Sequence, residues 1–279
     1  MEAIGKPVNN AVINEILHTV AHRPWPLPDR PWIMFQRWND LLFAHWALPP
    51  DQVRPLVPRE LELDLLDGRA WVAITPFWMS KVHLRGLPPL PGSGTFPEMN
   101  LRTYVRLPLD AKGQSREHPA PGVSDKDEIT KPGVYFFSLD AASLQAVLGA
   151  RLSFGLPYFW SRMRVKKSAG DRIDYTSIRR QQPRPAEVKV SYAPDGPLIE
   201  KKSELEVFLT ERYCLYVVRK GQVHRAQIHH IPWPLQPAEA TFAENTLAAT
   251  HQLQLSDPPH TLHFSKKLDV LIFPPERVD

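Results

Sequence analysis

The sequence predicts an α+β fold that is mostly β, and three observations carry that reading. Thirty prolines stand against thirteen glycines in 279 residues, which favours short strands with stiff connections over a helical bundle, since proline fixes φ and removes a backbone donor. Turn signals recur at short intervals from Trp32 onward. Helical periodicity is confined to a few short stretches, while an apolar fraction of 43% is enough for a sizeable core.

In chain order, VNNAVINEILHTVAH sets Val12, Ile16 and Val20 at helical spacing, and RPWPLPDRPW after it cannot be regular structure. Residues 1–30 therefore read as an N-terminal helix with a Pro-rich linker, and 31–279 as a single domain without an internal linker. LPPDQVRPLVP has room for a helical turn or two. ELELDLLDGRAWVAITPFWM reads as a hairpin turning at Asp67-Gly68, and the proline in ITPFW marks an edge strand or a bulge. Residues 109–132 are polar and Pro-interrupted, the pattern of a mobile excursion. GVYFFSLDA reads as a buried strand, and AASLQAVLGAR as a helix with Leu144, Val147, Leu148 and Arg151 on one face. FWSRMRVKKSAGDRIDYTSIRR holds two strands around Ser-Ala-Gly-Asp, and AEVKVSYA is a further strand. Ser203 and Glu206 form a capping-box pattern that opens a helix with Leu205, Phe208 and Leu209 inward. RYCLYVVRKGQVHRAQIHH turns at Lys220-Gly221, and HTLHFSKKLDVLIF supplies one or two last strands.

A formal net charge of +4, with both signs interspersed, gives no basic patch, so nucleic acid is not an expected partner. No apolar run reaches the length of a membrane span and the N-terminus lacks the order of a secretion signal. The single cysteine, Cys214, sits among apolar neighbours and allows no internal disulfide, so the expected location is the reducing cytoplasm.

Candidate chemistry begins in FPEMNLRTYVRL, where Glu98, Asn100, Arg102 and Tyr104 alternate with Met99, Leu101, Thr103 and Val105. Either this is a solvated strand face, or a carboxylate, an amide, a guanidinium and a phenol converge on a small ligand. In PYFWSRMRV the same period joins Tyr158, Trp160, Arg162 and Arg164, which a surface Arg–aromatic stack explains equally well. His229 and His230 are adjacent on a strand and point to opposite faces, with no third ligand at a fixed offset, so no metal is expected. His45 among apolar residues reads as a hydrogen-bonded core group. No Gly-rich phosphate loop, Ser elbow or Cys-x-x-Cys is present, and no cofactor is expected.

RWNDLLFAHWALPPDQVRPLVP, DGRAWVAITPFWM, FPEMNLRTYVR, GVYFFSLDAASLQAVLGARLSFGLPYFWSRM, FLTERYCLYVV and HHIPWPLQ together resemble the YqjF-like family of uncharacterised bacterial proteins, from about Trp32 to Val270. That family resembles a branch of the acetoacetate decarboxylase-like superfamily, which implies a cone-shaped β-barrel with flanking short helices around an interior pocket, and a tendency to form homo-oligomers. Over about residues 97–160 the resemblance aligns Glu98 with a pocket glutamate of the decarboxylases, and Arg151, Gly155 and Pro157 with the approach to their Schiff-base lysine. Tyr158 stands in the place of that lysine and Phe159 in that of its neighbour. A phenol forms no iminium, so the decarboxylase mechanism does not transfer. The expectation is a protein that binds a small molecule through Asn100, Arg102, Tyr104, Arg151 and Trp160. The alternative is an enzyme acting on a small carbonyl or carboxylate compound, with Glu98 as base and Tyr158 as acid.

Overall fold

The computed structural model describes residues 9–87, 94–108, 131–181, 183–255 and 258–278. The expected excursion at 109–132 therefore lies almost wholly outside the described residues. The described residues form fourteen strands and four short α-helices: β1 (Met34–Leu48), β2 (Glu62–Leu63), β3 (Ala70–Leu84), β4 (Phe96–Arg106), β5 (Gly133–Ala141), β6 (Tyr158–Trp160), β7 (Arg162–Lys167), β8 (Ile173–Arg179), β9 (Ala186–Pro194), β10 (Cys214–Arg219), β11 (Gln222–His229), β12 (Leu235–Asn245), β13 (Thr261–Ile272) and β14 (Glu276–Arg277), with α1 (Asn10–His18), α2 (Pro50–Val53), α3 (Leu144–Ser153) and α4 (Glu204–Thr210). The fold is α+β and mostly β, as the sequence predicts.

The strands pair in the order β11-β10-β5-β4-β3-β1-β13, and β13 pairs back onto β11 through Ile228↔Ile272 and His229↔Leu271, so the order closes into a ring. From β13 the sheet continues through β12, β9, β8 and β7. This arm lays Ile173, Tyr175, Val188, Val190 and Tyr192 over Leu42, Trp46, Ile74, Met99 and Leu101 on the outer face of the ring, forming the largest apolar core. A second cluster, with Leu41, Phe43, Phe77, Leu139, Tyr158 and Trp233, occupies the inner face. The long ring strands β1, β3 and β4 thus have apolar contacts on both faces, which is why β1 is buried over almost its whole length.

Local chemistry accounts for most elements. Asn9 caps α1, Ser143 caps α3, and Ser203 with Glu206 forms the expected capping box on α4. Pro76 lies in the middle of the central strand β3, where it forfeits a donor. The register of β1 is irregular opposite it, between Asn39 and Ala44, and Asp40 there has φ +47°. The proline therefore marks a bulge and not an edge.

Two elements differ from expectation. The turn at Asp67-Gly68 forms, with φ +52° and +68°, but its hairpin is reduced to one bridge between Leu66 and Arg69, because β2 pairs with β4 instead. On α3 it is Val147 that is buried, with Ala146 and Ala150 packed beside it, whereas Leu144, Leu148 and Leu152 are exposed. The small residues let this helix lie close against the ring. α1 rests on the ring through Ile16, packed with Trp32, Phe35, Leu271 and Phe273, and Arg23 donates to the Ile228 carbonyl at 2.7 Å. No helix among the described residues is long and apolar enough to cross a membrane.

Candidate functional site

Alternation along β4 sends Met99, Leu101 and Val105 into the core beneath the arm and Glu98, Asn100 and Arg102 to the inner face of the ring. These three polar residues are buried and line a cavity of about 400 Å³. A solvated strand face is thereby excluded. Thr75 faces Asn100 across the β3–β4 register, and Trp38, Phe77 and Trp233 make the surrounding wall apolar.

Tyr158 reaches the same cavity from the turn after α3. Gly155 has φ +66°, which an L side chain resists, and a Cβ there would lie 1.8 Å from Nε of Arg219. The Pro157 carbonyl then accepts from the Leu139 N–H at 3.0 Å and β6 runs parallel to β5. Arg151 donates from Nε to the Tyr158 carbonyl at 2.7 Å, and a second guanidinium nitrogen donates to the same oxygen. So held, the Tyr158 hydroxyl donates to Oε2 of Glu98 at 2.8 Å.

Burial pushes the Glu98 carboxyl up to about 8. The nearby Asp140 adds to this, and the hydrogen bond from Tyr158 opposes it. Burial, followed by the charge of Glu98 and the bond to it, holds the Tyr158 phenol well above its usual range. At neutral pH the pair is therefore uncharged and rich in protons, able to give a hydrogen bond or a proton to a bound oxygen. Asp140 itself lies on the other face of β5, 3.1 Å from the buried Arg179 and accepting from Ser161 at 3.0 Å. Burial raises its carboxyl to about 6, against the effect of Arg179.

Four residues further along β4, Arg102 stacks over Phe43 at 5.3 Å and Tyr104 at 5.8 Å. Among the described residues it has no carboxylate partner, and its buried Nε has no hydrogen-bond partner. Arg212 also lines the cavity, but Asp64 compensates its charge at 2.5 Å. Thr75 Oγ1, Asn100 Oδ1, His230 Nε2 and Trp233 Nε1 are further buried polar atoms of cavity-lining residues that lack a partner. Such atoms are costly when left unmet, and a bound polar ligand would satisfy those that face the cavity.

The structure thus brings Glu98, Asn100, Arg102 and Tyr158 to one cavity. Tyr104 shares their strand face but its hydroxyl is taken up, donating to the Leu209 carbonyl at 2.9 Å and accepting from Nε2 of His45 at 2.7 Å. His45 is a hydrogen-bonded core group, as expected. Arg151 acts on the backbone of Tyr158 from outside the cavity. Trp160 is 54% exposed, because β6 ends there and Ser161 separates it from β7, so the alternation read through PYFWSRMRV is not continuous. Thr75, Arg212, His230 and Trp233 were not anticipated as cavity residues. HHIPWPL gave a signal for His230 only as a metal motif, and Arg212 follows a helix end that carries no signal.

A family model matches residues 35–116 and 123–269; it is the DUF2071 family, described as an uncharacterized conserved protein. The chain belongs to the DUF2071 family. It is also 43% identical over 249 residues to the uncharacterized protein YqjF of Bacillus subtilis (strain 168), covering 89% of this chain and 93% of that one. Among solved structures this DUF2071 protein is similar to the enduracididine biosynthesis enzyme MppR complexed with pyruvate (TM-score 0.56, 11% identity, 91% of this chain and 92% of that one). It is likewise similar to acetoacetate decarboxylase from Legionella pneumophila (TM-score 0.55, 13% identity, 96% and 95%). At these identities the likeness shows the fold: the DUF2071 ring is of the acetoacetate decarboxylase-like kind.

Proposed function

We propose that this DUF2071 protein binds a small monoanionic molecule in the ring cavity. The observation that carries the reading is Arg102, a buried guanidinium with no acidic partner among the described residues. A charge taken out of water without compensation is expensive, and an anionic ligand supplies the missing partner. Glu98 does not fill that role, since it is mostly protonated at neutral pH. Among the described residues no lysine lines the cavity. Tyr158 stands where the resemblance puts the Schiff-base lysine, so binding without iminium chemistry is the reading preferred.

The enzymatic alternative is favoured by one observation, the 2.8 Å bond between Tyr158 and a Glu98 whose carboxyl sits near 8, the range suited to acid/base work at neutral pH. Turnover separates the two. A pool of metabolites incubated with the protein loses free ligand under the binding reading and gains a new product under the enzymatic one. Cytoplasmic location and homo-oligomerisation are further parts of the proposal. A light-scattering mass of a single chain would remove the second.

Calorimetric titration with acetate, butyrate and benzoate tests the anion site. At least one of them binds the wild type, and Arg102→Gln weakens it by about 2 kcal/mol or more, as expected when one partner of a buried charged contact is removed. No affinity for any of the three, or equal affinity in the variant, contradicts the proposal.

A further inference from the structure

Beyond Arg102, the wall formed by residues 230–233 holds a second pair of unmet polar atoms. His230 is fully buried and Trp233 is 4% exposed, and both line the cavity. The tautomer of His230 follows from its surroundings. Its Nδ1 lies 2.7 Å from the Ile231 carbonyl, which can only accept, so Nδ1 carries the hydrogen. Nε2 is left as a bare acceptor without a partner. Burial lowers the imidazole to about 4 and so keeps it neutral, against the opposing influence of Glu211. Trp233 Nε1–H is a donor without a partner. The two rings meet edge to face with centroids 5.4 Å apart. One hydrogen-bond acceptor and one donor on adjoining rings of an apolar wall are the complement of a hydroxyl group, which gives one bond and receives another.

The position of this wall relative to Arg102 is set by Phe43. The guanidinium lies 5.3 Å from the Phe43 centroid, and Trp233 packs against the same ring at 4.9 Å. The two polar places thus lie against the same ring, within the span of one small molecule, with Trp38 stacked on Trp233 at 5.7 Å beside them.

Resting on the anion-binding reading above, we infer that His230 and Trp233 form a hydroxyl subsite, and that the ligand is a hydroxylated monoanion whose two groups sit at separate positions on a small apolar body. His230 accepts the hydroxyl hydrogen and Trp233 donates to the hydroxyl oxygen, while Arg102 takes the anionic head.

The test compares benzoate with 3- and 4-hydroxybenzoate on the full chain, by calorimetry and by the ¹⁵N–¹H signal of the Trp233 indole, assigned by its loss in Trp233→Phe. In the wild type at least one hydroxybenzoate binds about tenfold more tightly than benzoate, the effect of satisfying otherwise unmet buried groups, and it alone shifts the indole signal. In Trp233→Phe, which keeps an aromatic ring beside Trp38 and Phe43, the advantage of the hydroxybenzoate over benzoate disappears. His230→Phe gives the same loss, and the Trp233 signal serves where that variant does not fold. Equal affinity for all three probes, or an unmoved indole signal, overturns the hydroxyl subsite and means that an ordered water alone meets these atoms, with anion binding intact. Failure of all three to bind overturns the hydroxyl subsite, and with acetate and butyrate also unbound it overturns the anion reading as well.

Discussion

Glu98 concentrates the energetic tension of the site in one residue. A carboxyl that titrates near 8 in the folded chain and near 4.5 in the open chain binds more protons when folded throughout that interval. The stability it contributes is fully present below about 4.5 and is lost as pH rises through about 8, a change on the order of a few kcal/mol. Asp140, raised to about 6, adds a loss in the same direction that is complete at lower pH. Glu98→Gln removes only the upper part. Its melting temperature therefore falls less than that of the wild type between pH 6 and 9, and the two curves converge or cross as pH rises. Parallel curves over that range would show that Glu98 ionises as an ordinary carboxylate.

The turn between α3 and β6 converts a helix end into a placed phenol. Gly155→Ala meets two obstacles, a positive φ costing roughly 1–2 kcal/mol and the guanidinium of Arg219 in the space of the new methyl. The variant should lose at least that much stability in urea unfolding and weaken benzoate binding as Tyr158 moves. Arg219→Ala in the same chain relieves the second obstacle and leaves the first; no loss in the single variant contradicts this account of the turn. Elements of this kind were only partly legible in the sequence. The polar alternation on β4 was readable because period two is fixed by the strand itself, and the aligned Gly-Leu-Pro-Tyr step pointed to Tyr158. By contrast, α3 shows its leucines to solvent because small residues seat it on the ring, which helical periodicity alone does not reveal. β12 was not anticipated, because Pro237 and its alanines give little strand signal. His230 and Trp233 became cavity residues only through closure of β11 onto β13, a long-range pairing that local patterns do not encode.

At the scale of the molecule, ring closure brings together β4, the turn after α3 and the 230–233 segment, which are far apart in the chain. The resulting hollow has a neutral acid pair at one end and, four residues along the same strand and roughly 13 Å away at strand spacing, a guanidinium with no carboxylate partner among the described residues. With an anion bound as proposed, ionising Glu98 places a second negative charge in the cavity, so binding and protonation are linked. The most direct measurement is a ¹³C titration of the Glu98 carboxyl, assigned with Glu98→Gln, in the presence and absence of saturating benzoate. The account predicts a midpoint near 8 without ligand and a higher one with it. A midpoint near 4.5, or one that ligand leaves unmoved, would contradict a shared, water-poor cavity for Glu98 and the anion.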